Sequence, residues 1–498
     1  MIRGAGVLMH IASLPGEFGI GTFGKEAYKF VDSIKKAGFR YWQILPLGHT
    51  GYGDSPYQCF TAFAGNPYFI DFDKLRDSGL LREEDYKSEN YYDNKERINY
   101  GLVYTSKYKV LKVAYENYKK MNTLQEKVEK FKEDNKLWLD DYSTYMALKQ
   151  KFNYSSWYNW DKDIKERKTE ALDKYKNELK DEIEYWSFIQ YLFFNQWENL
   201  KKYANSLGIK IIGDIPIYVA EDSVDTWSVP ENFMLDSKTF KPKFVAGCPP
   251  DDFSPTGQLW GNLTYNWEYM KSTEYEWWIS RIKQSLRLYD ILRIDHFRGF
   301  KSYWQVSYGE KTAKDGSWKK GPGKDLFNVI RKKLGDIEVI AEDLGYLEKD
   351  TIKFIKETGF PGMRILQFAF GGASDNNYLP HRYINKCVAY TGTHDNDTCL
   401  GWYEKTGSRY EVKNAEEYLG LNAEEGYNWG LIRGIWSSVA DIAIAQMQDF
   451  LNIGNEGRMN LPSSLGGNWS WRMKDESFDE ELVNKIARFN YRYERINE

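Results

Sequence analysis

Eight short apolar runs, each closed by Pro, Gly or a polar cluster, recur along this chain and constrain its fold more than any other feature. They lie at 6–11, 41–47, 209–215, 291–297, 338–344, 363–368, 387–394 and, more weakly, 442–447. Most are β-branched and are followed by helical spacing, the signature of repeated βα units. A doubly wound open sheet ordinarily begins with a Gly-rich phosphate-binding turn after its first strand, and no such turn follows residues 6–11. Eight parallel strands with uneven connections therefore predict an α/β chain folded as a (β/α)8 TIM barrel with large, mainly helical insertions, residues 1–498 forming one catalytic unit. The longest gap, between the second and third runs, is rich in Lys, Glu, Leu and Tyr at helical spacing from about 75 to 200, which predicts a helical insertion subdomain. A second insertion, about 220–280, follows the third run.

At the C-terminal ends of barrel strands, side chains face one shared mouth, so charged residues that close apolar runs are the first candidates for chemistry. Three such closures carry acids: Arg293-Ile294-Asp295-His296, Ile340-Ala341-Glu342-Asp343 and Thr393-His394-Asp395-Asn396. Each acid alone also fits a helix cap or a buried ion pair. Three together, with His296 and His394 beside them, fit glycoside cleavage with retention, which needs an ionised carboxylate to attack and a protonated one to donate. Arg293 lies two residues before Asp295, on the same face of a strand, where a guanidinium would keep Asp295 ionised as the nucleophile. Glu342 is then the acid, raised by a closed cavity and neighbouring carboxylates, and Asp395 stabilises the transition state. No HExxH and no second close His pair points to a metal, and no cofactor is signalled.

Composition narrows the partner. A formal charge of -4, with acids and bases mixed along the chain, offers no positive field for nucleic acid or anionic lipid. Aromatic residues reach 17%, many of them Tyr and Trp, whose flat faces suit the C–H faces of sugars as well as a core. Cys59, Cys248, Cys387 and Cys399 form no CxxC pair, and no apolar run is long enough for a bilayer, so a cytoplasmic enzyme is expected.

With these motifs in order, the chain resembles the amylomaltases, the 4-α-glucanotransferases of glycoside hydrolase family 77, relatives of the α-amylases. The resemblance implies a nucleophile at Asp295, an acid/base at Glu342 and a stabiliser at Asp395, acting on α-1,4-glucans and maltooligosaccharides without a cofactor. It extends to Met9-His10-Ile11-Ala12-Ser13 and to Gly53-Asp54-Ser55-Pro56-Tyr57, where Ser55 and Tyr57 would line donor subsites. In Gly213-Asp214-Ile215-Pro216, Asp214 would lie by the donor sugar. Residues 249–253 through 257–262, with Trp260, resemble a flexible loop covering the acceptor side, and 457–462 resemble a late loop that touches glucan through Asn460. Arg293, His296 and His394 complete the implied sugar contacts. Leu263-Thr264 and Ser463-Ser464 depart from the family pattern, a Gly-containing turn being expected after Pro462. Two rivals remain: an amylase-like hydrolase, and a noncatalytic glucan-binding protein with damaged carboxylates.

Overall fold

The computed structural model describes residues 1–250, 254–345, 347–464 and 466–497. Among them the strands in chain order are β1 (Gly4–Leu8), β2 (Tyr41–Gln43), β3 (Lys210–Pro216), β4 (Phe244–Cys248), β5 (Gln258–Leu263), β6 (Ile291–Asp295), β7 (Ser302–Ser307), β8 (Gly316–Lys320), β9 (Val339–Ala341), β10 (Gly362–Ile365), β11 (Cys387–Tyr390) and β12 (Ile442–Gln446). Eight run parallel in the order β10-β11-β12-β1-β2-β3-β6-β9. The end strands meet: Ala341 N–H donates to the Pro361 carbonyl at 2.9 Å, and the Asp343 carboxylate accepts from Met363 N–H at 2.6 Å. The result is a (β/α)8 barrel, and each of the eight apolar runs overlaps one of its strands.

Strands β1, β11 and β12 are buried along their whole length. Packed on one face by the barrel interior and on the other by helices, such strands must be uniformly apolar, which is why they stand out in the sequence. Helices Lys25–Lys36, Glu276–Leu288, Lys324–Leu334, Lys349–Thr358, Tyr427–Trp436 and Glu480–Arg492 contribute to that coat. Each turns one apolar stripe inward, as Leu326, Phe327 and Ile330 do. Between β10 and β11 the described residues hold only single 3-10 turns.

The connection from β2 to β3 carries helices Tyr100–Tyr118, Asn122–Asp134, Lys136–Lys151, Thr169–Glu178 and Lys180–Ser206. Two buried polar clamps fasten them to the loop after β2. His49 lies between the hydroxyls of Tyr142 and Tyr108, each at 2.9 Å, and Gln190 pairs with both backbone groups of Gly65 at 2.8 Å. Burial pushes the His49 pKa down to about 3, so its ring is neutral and offers one donor and one acceptor. The loop holding Tyr57 is thereby mounted on a rigid helical support.

Chain leaving β3 and β6 builds a second, antiparallel sheet in the order β5-β4-β7-β8. Gln258–Leu263, expected within a flexible loop, is thus a strand, while residues 251–253 lie outside the described residues. At the departure from the family pattern, Thr264 is fully buried and its hydroxyl accepts from Gln305 at 2.9 Å. Ser463 holds φ at +62°, the left-handed conformation that a Gly there would adopt without strain. Two glycines are explained by different causes. A Cβ on Gly213 would lie 2.0 Å from the Tyr289 ring, so close packing requires it, whereas Gly261 has open space and a φ of +76°.

Candidate active site

Residues in register on adjacent strands stand side by side on the same face, and β3 sets Asp214 opposite Arg293 of β6. Arg293 donates from Nη1 to Asp214 Oδ2 at 2.5 Å and from Nη2 to Asp295 Oδ1 at 3.0 Å. The Arg293 and Asp214 side chains are 3% and 0% exposed, while Asp295 is 33% exposed. One carboxylate is therefore a buried anchor and the other faces the mouth. Asp214 Oδ2 also accepts from the Tyr57 hydroxyl at 2.9 Å, and the Tyr57 ring stacks on His394 at 5.0 Å and 22°. His394 Nε2 lies 3.5 Å from Asp395 Oδ1, which accepts from Asn460 Nδ2 at 2.7 Å. Asp214, Arg293, Asp295, Tyr57, His394, Asp395 and Asn460 form one continuous network drawn from five separate stretches of chain.

Glu342 joins it across a turn. His296 adopts the left-handed conformation (φ 52°, ψ 47°), uncommon outside glycine, and so reverses the chain directly after β6. Its N–H then donates to Glu342 Oε2 at 2.7 Å, and Leu344 N–H donates to Oε1 at 2.6 Å. The turn is held from below by a cluster of rings, with Phe297 5.1 Å from Phe327 and 5.9 Å from Phe354. Removing a buried ring such as Phe297 costs roughly 3–5 kcal/mol. That loss would release the turn whose N–H holds Glu342.

The two carboxyls differ in partners: Asp295 is bonded to a guanidinium, Glu342 to two backbone N–H groups. Burial, and then the charge of Asp295, raises the Glu342 pKa to about 8, against the opposing pull of Arg293 and the two N–H donors. Burial also presses the Asp295 pKa upward, and Arg293 opposes that rise without reversing it. Arg293 was expected to keep Asp295 ionised; its contact restrains the rise, but burial outweighs it, and the Asp295 and Glu342 carboxyls are both shifted upward. Burial, with Arg298 second, pushes the His296 pKa down to about 3 and leaves its imidazole neutral. A stability test follows from the sign. With its folded pKa above its ordinary value of 4.5, Glu342 contributes stability that is fully present below that value and is lost as pH rises through about 8. Glu342→Gln should raise the melting temperature over the parent by about 2 °C or more at pH 9, with the gain vanishing near pH 4, in a thermal unfolding series.

The remaining expected residues sit around this core. Trp260, on β5, meets His296 edge-on at 4.7 Å and donates to Gln258 Oε1 at 3.2 Å. Ser55 joins only through backbone, its Oγ accepting from Tyr57 N–H at 3.3 Å. Three participants went unread. Arg458 donates to the Asp395 carbonyl at 2.6 Å, Trp469 lies 5.8 Å from the Tyr57 ring and 5.9 Å from His394, and Asp343 closes the barrel seam beside Glu342. Arg458 and Asp343 each lie inside a motif that resembles the family, so their positions were a usable signal; Trp469 had none. Among the described residues, no group of three or more His, Cys, Asp or Glu is placed to hold a metal ion, and no helix is long and apolar enough to cross a membrane.

Comparison with known proteins identifies relatives over nearly the whole chain. The family model described as 4-alpha-glucanotransferase matches residues 9–478. A 4-alpha-glucanotransferase of Clostridium butyricum is 63% identical, the match covering 98% of this chain and 100% of that one. One from Streptococcus pneumoniae is 46% identical over 100% of this chain and 98% of its own. The solved amylomaltase from Streptococcus agalactiae in complex with acarbose superposes with a TM-score of 0.97 at 42% identity, covering 99% of this chain and 100% of that chain. The chain belongs to the 4-alpha-glucanotransferase family, glycoside hydrolase family 77.

Proposed function

We propose that the enzyme transfers α-1,4-glucan segments between maltooligosaccharides by double displacement, with Asp295 as nucleophile and Glu342 as acid/base. Asp295 attacks C1 of the donor glucosyl unit while Glu342 gives its proton to the departing O4, leaving a covalent glycosyl-enzyme. The reducing-end piece departs. Glu342, now ionised, takes the proton from the 4-OH of an incoming glucan, whose oxygen attacks C1, displaces Asp295 and restores an α-1,4 bond. Two inversions give retention. Asp395, fixed by Asn460 and His394, holds sugar hydroxyls as positive charge develops on the ring. Asp214 and Arg293 set the nucleophile, Tyr57 with Ser55 behind it faces the donor sugar, and His296, Trp260 and His394 bracket the ring. The single observation that carries this reading is the unequal setting of the pair: Asp295 is bonded to the Arg293 guanidinium, whereas Glu342 accepts only from the backbone N–H groups of His296 and Leu344 among the described residues. The helical insertion serves as the mount of the Tyr57 loop, so the whole chain works as one unit.

Bonds broken and formed are alike, so the products should spread over many lengths. Incubation with maltotriose is expected to yield glucose and a ladder of oligosaccharides longer than the substrate on chromatography. Glucose and maltose with nothing longer would mean that water outcompetes the acceptor and would favour the hydrolase reading.

A further inference from the structure

Strand β8 lies at the edge of the small sheet, paired only with β7. Its sequence, Gly-Ser-Trp-Lys-Lys, leaves Trp318 40% exposed. A large ring left bare on an edge strand calls for an occupant, because such surface otherwise invites unwanted pairing. The ring is also held firmly. The Arg298 guanidinium lies 4.2 Å from its centroid, and Trp304 meets it edge-on at 5.3 Å and 69°. Arg298 is fixed in turn by Glu348, whose two oxygens accept from Nη2 at 3.2 and 2.9 Å. Trp318 makes no other ring contact among the described residues.

The supports lead back to the chemistry. Arg298 belongs to the Phe297–Phe300 turn that starts at His296, the residue whose N–H holds Glu342, and Glu348 follows Glu342 on the chain leaving β9. Trp318 is thus tied through Arg298 to the turn that holds the proposed acid/base, which by its role faces the leaving and accepting sugars rather than the donor. Resting on that assignment, we propose that Trp318 is a stacking platform for a glucan chain on the acceptor side, taking the C–H face of an α-1,4-linked glucose beyond the one that Glu342 touches. A rigid, amphipathic indole backed by a cation suits that ligand, because stacking needs an immobile flat face and no particular hydroxyl.

The test uses α-maltosyl fluoride as donor, whose leaving group is a fluoride ion that occupies no acceptor-side position. Transfer is measured to glucose and to maltoheptaose at limiting acceptor. Trp318→Ala should lower kcat/KM for maltoheptaose about fivefold and leave glucose unchanged. Trp318→Phe should recover most of the loss, whereas Trp318→Leu, which keeps apolar bulk against Trp304 but no ring, should not. Equal losses with both acceptors, or an unchanged value for maltoheptaose, would overturn the platform. If the unaltered enzyme transferred to neither acceptor, the transferase reading itself would fail.

Discussion

Asp295→Asn is expected to abolish turnover of maltotriose, by about 10⁴-fold or more, while leaving the fold intact. The amide has the shape of the carboxylate, and its oxygen can still accept from Arg293 Nη2, the bond now 3.0 Å long. Asp214 keeps its own bonds to Arg293 and Tyr57, so the buried anchor does not depend on the substitution. What disappears is the anion that attacks C1. Glucose release followed by a coupled assay, with melting temperature as control, measures both halves. A loss below tenfold in a well-folded variant would mean that another group attacks and would revive the noncatalytic, glucan-binding reading of this site.

For Glu342→Gln the expected loss is about 10³-fold with glucan donors, and it should depend on the leaving group. A fluoride leaves without a proton, so α-maltosyl fluoride should load the enzyme at near the parental rate. The second half-reaction then stalls, because glutamine takes no proton from an acceptor hydroxyl; azide, already an anion, should restore product. As the proposed acid, the same residue is expected to set an alkaline limit in the parent enzyme. Glu342 has its pKa raised to about 8, so the acid form that donates to O4 is present below that pH and is lost above it. The kcat/KM profile for maltotriose should therefore fall on the alkaline side near pH 8, and the fall should disappear when the donor is the fluoride. An alkaline limb that persists with the fluoride would assign it to a group other than Glu342.

The barrel was legible because closure demands it: a strand packed on both faces must be apolar throughout, so runs such as 209–215 and 291–297 stand out, and even the weaker run at 442–447 is a buried strand. Their ends were less so. The run 387–394 extends beyond β11, which stops at Tyr390, because Thr391 and Thr393 suit a strand but turn aside to bond the Asp449 carboxylate and Asn396. The small antiparallel sheet left no such trace. Gly316–Lys320 is almost wholly exposed, so neither burial nor alternation marked it, and Trp318 passed unnoticed with it. In the site, the Arg293–Asp295 pair is local and follows from strand periodicity. The partnership of Arg293 with Asp214 spans 79 residues and depends on the register of β3 against β6, which no periodicity reveals. The left-handed turn at His296 was equally hidden, since its cause is the tertiary bond to Glu342 and the rings beneath it.

In the proposed reaction Asp295 becomes covalently attached to the sugar while Glu342 and Asp395 do not. A 5-fluoro glycosyl fluoride, which forms the intermediate faster than it is consumed, followed by proteolysis and mass spectrometry, reads this directly. One added glycosyl unit is expected on the peptide containing Asp295. A label on the Glu342 or Asp395 peptide, or inactivation with no covalent adduct, would contradict it.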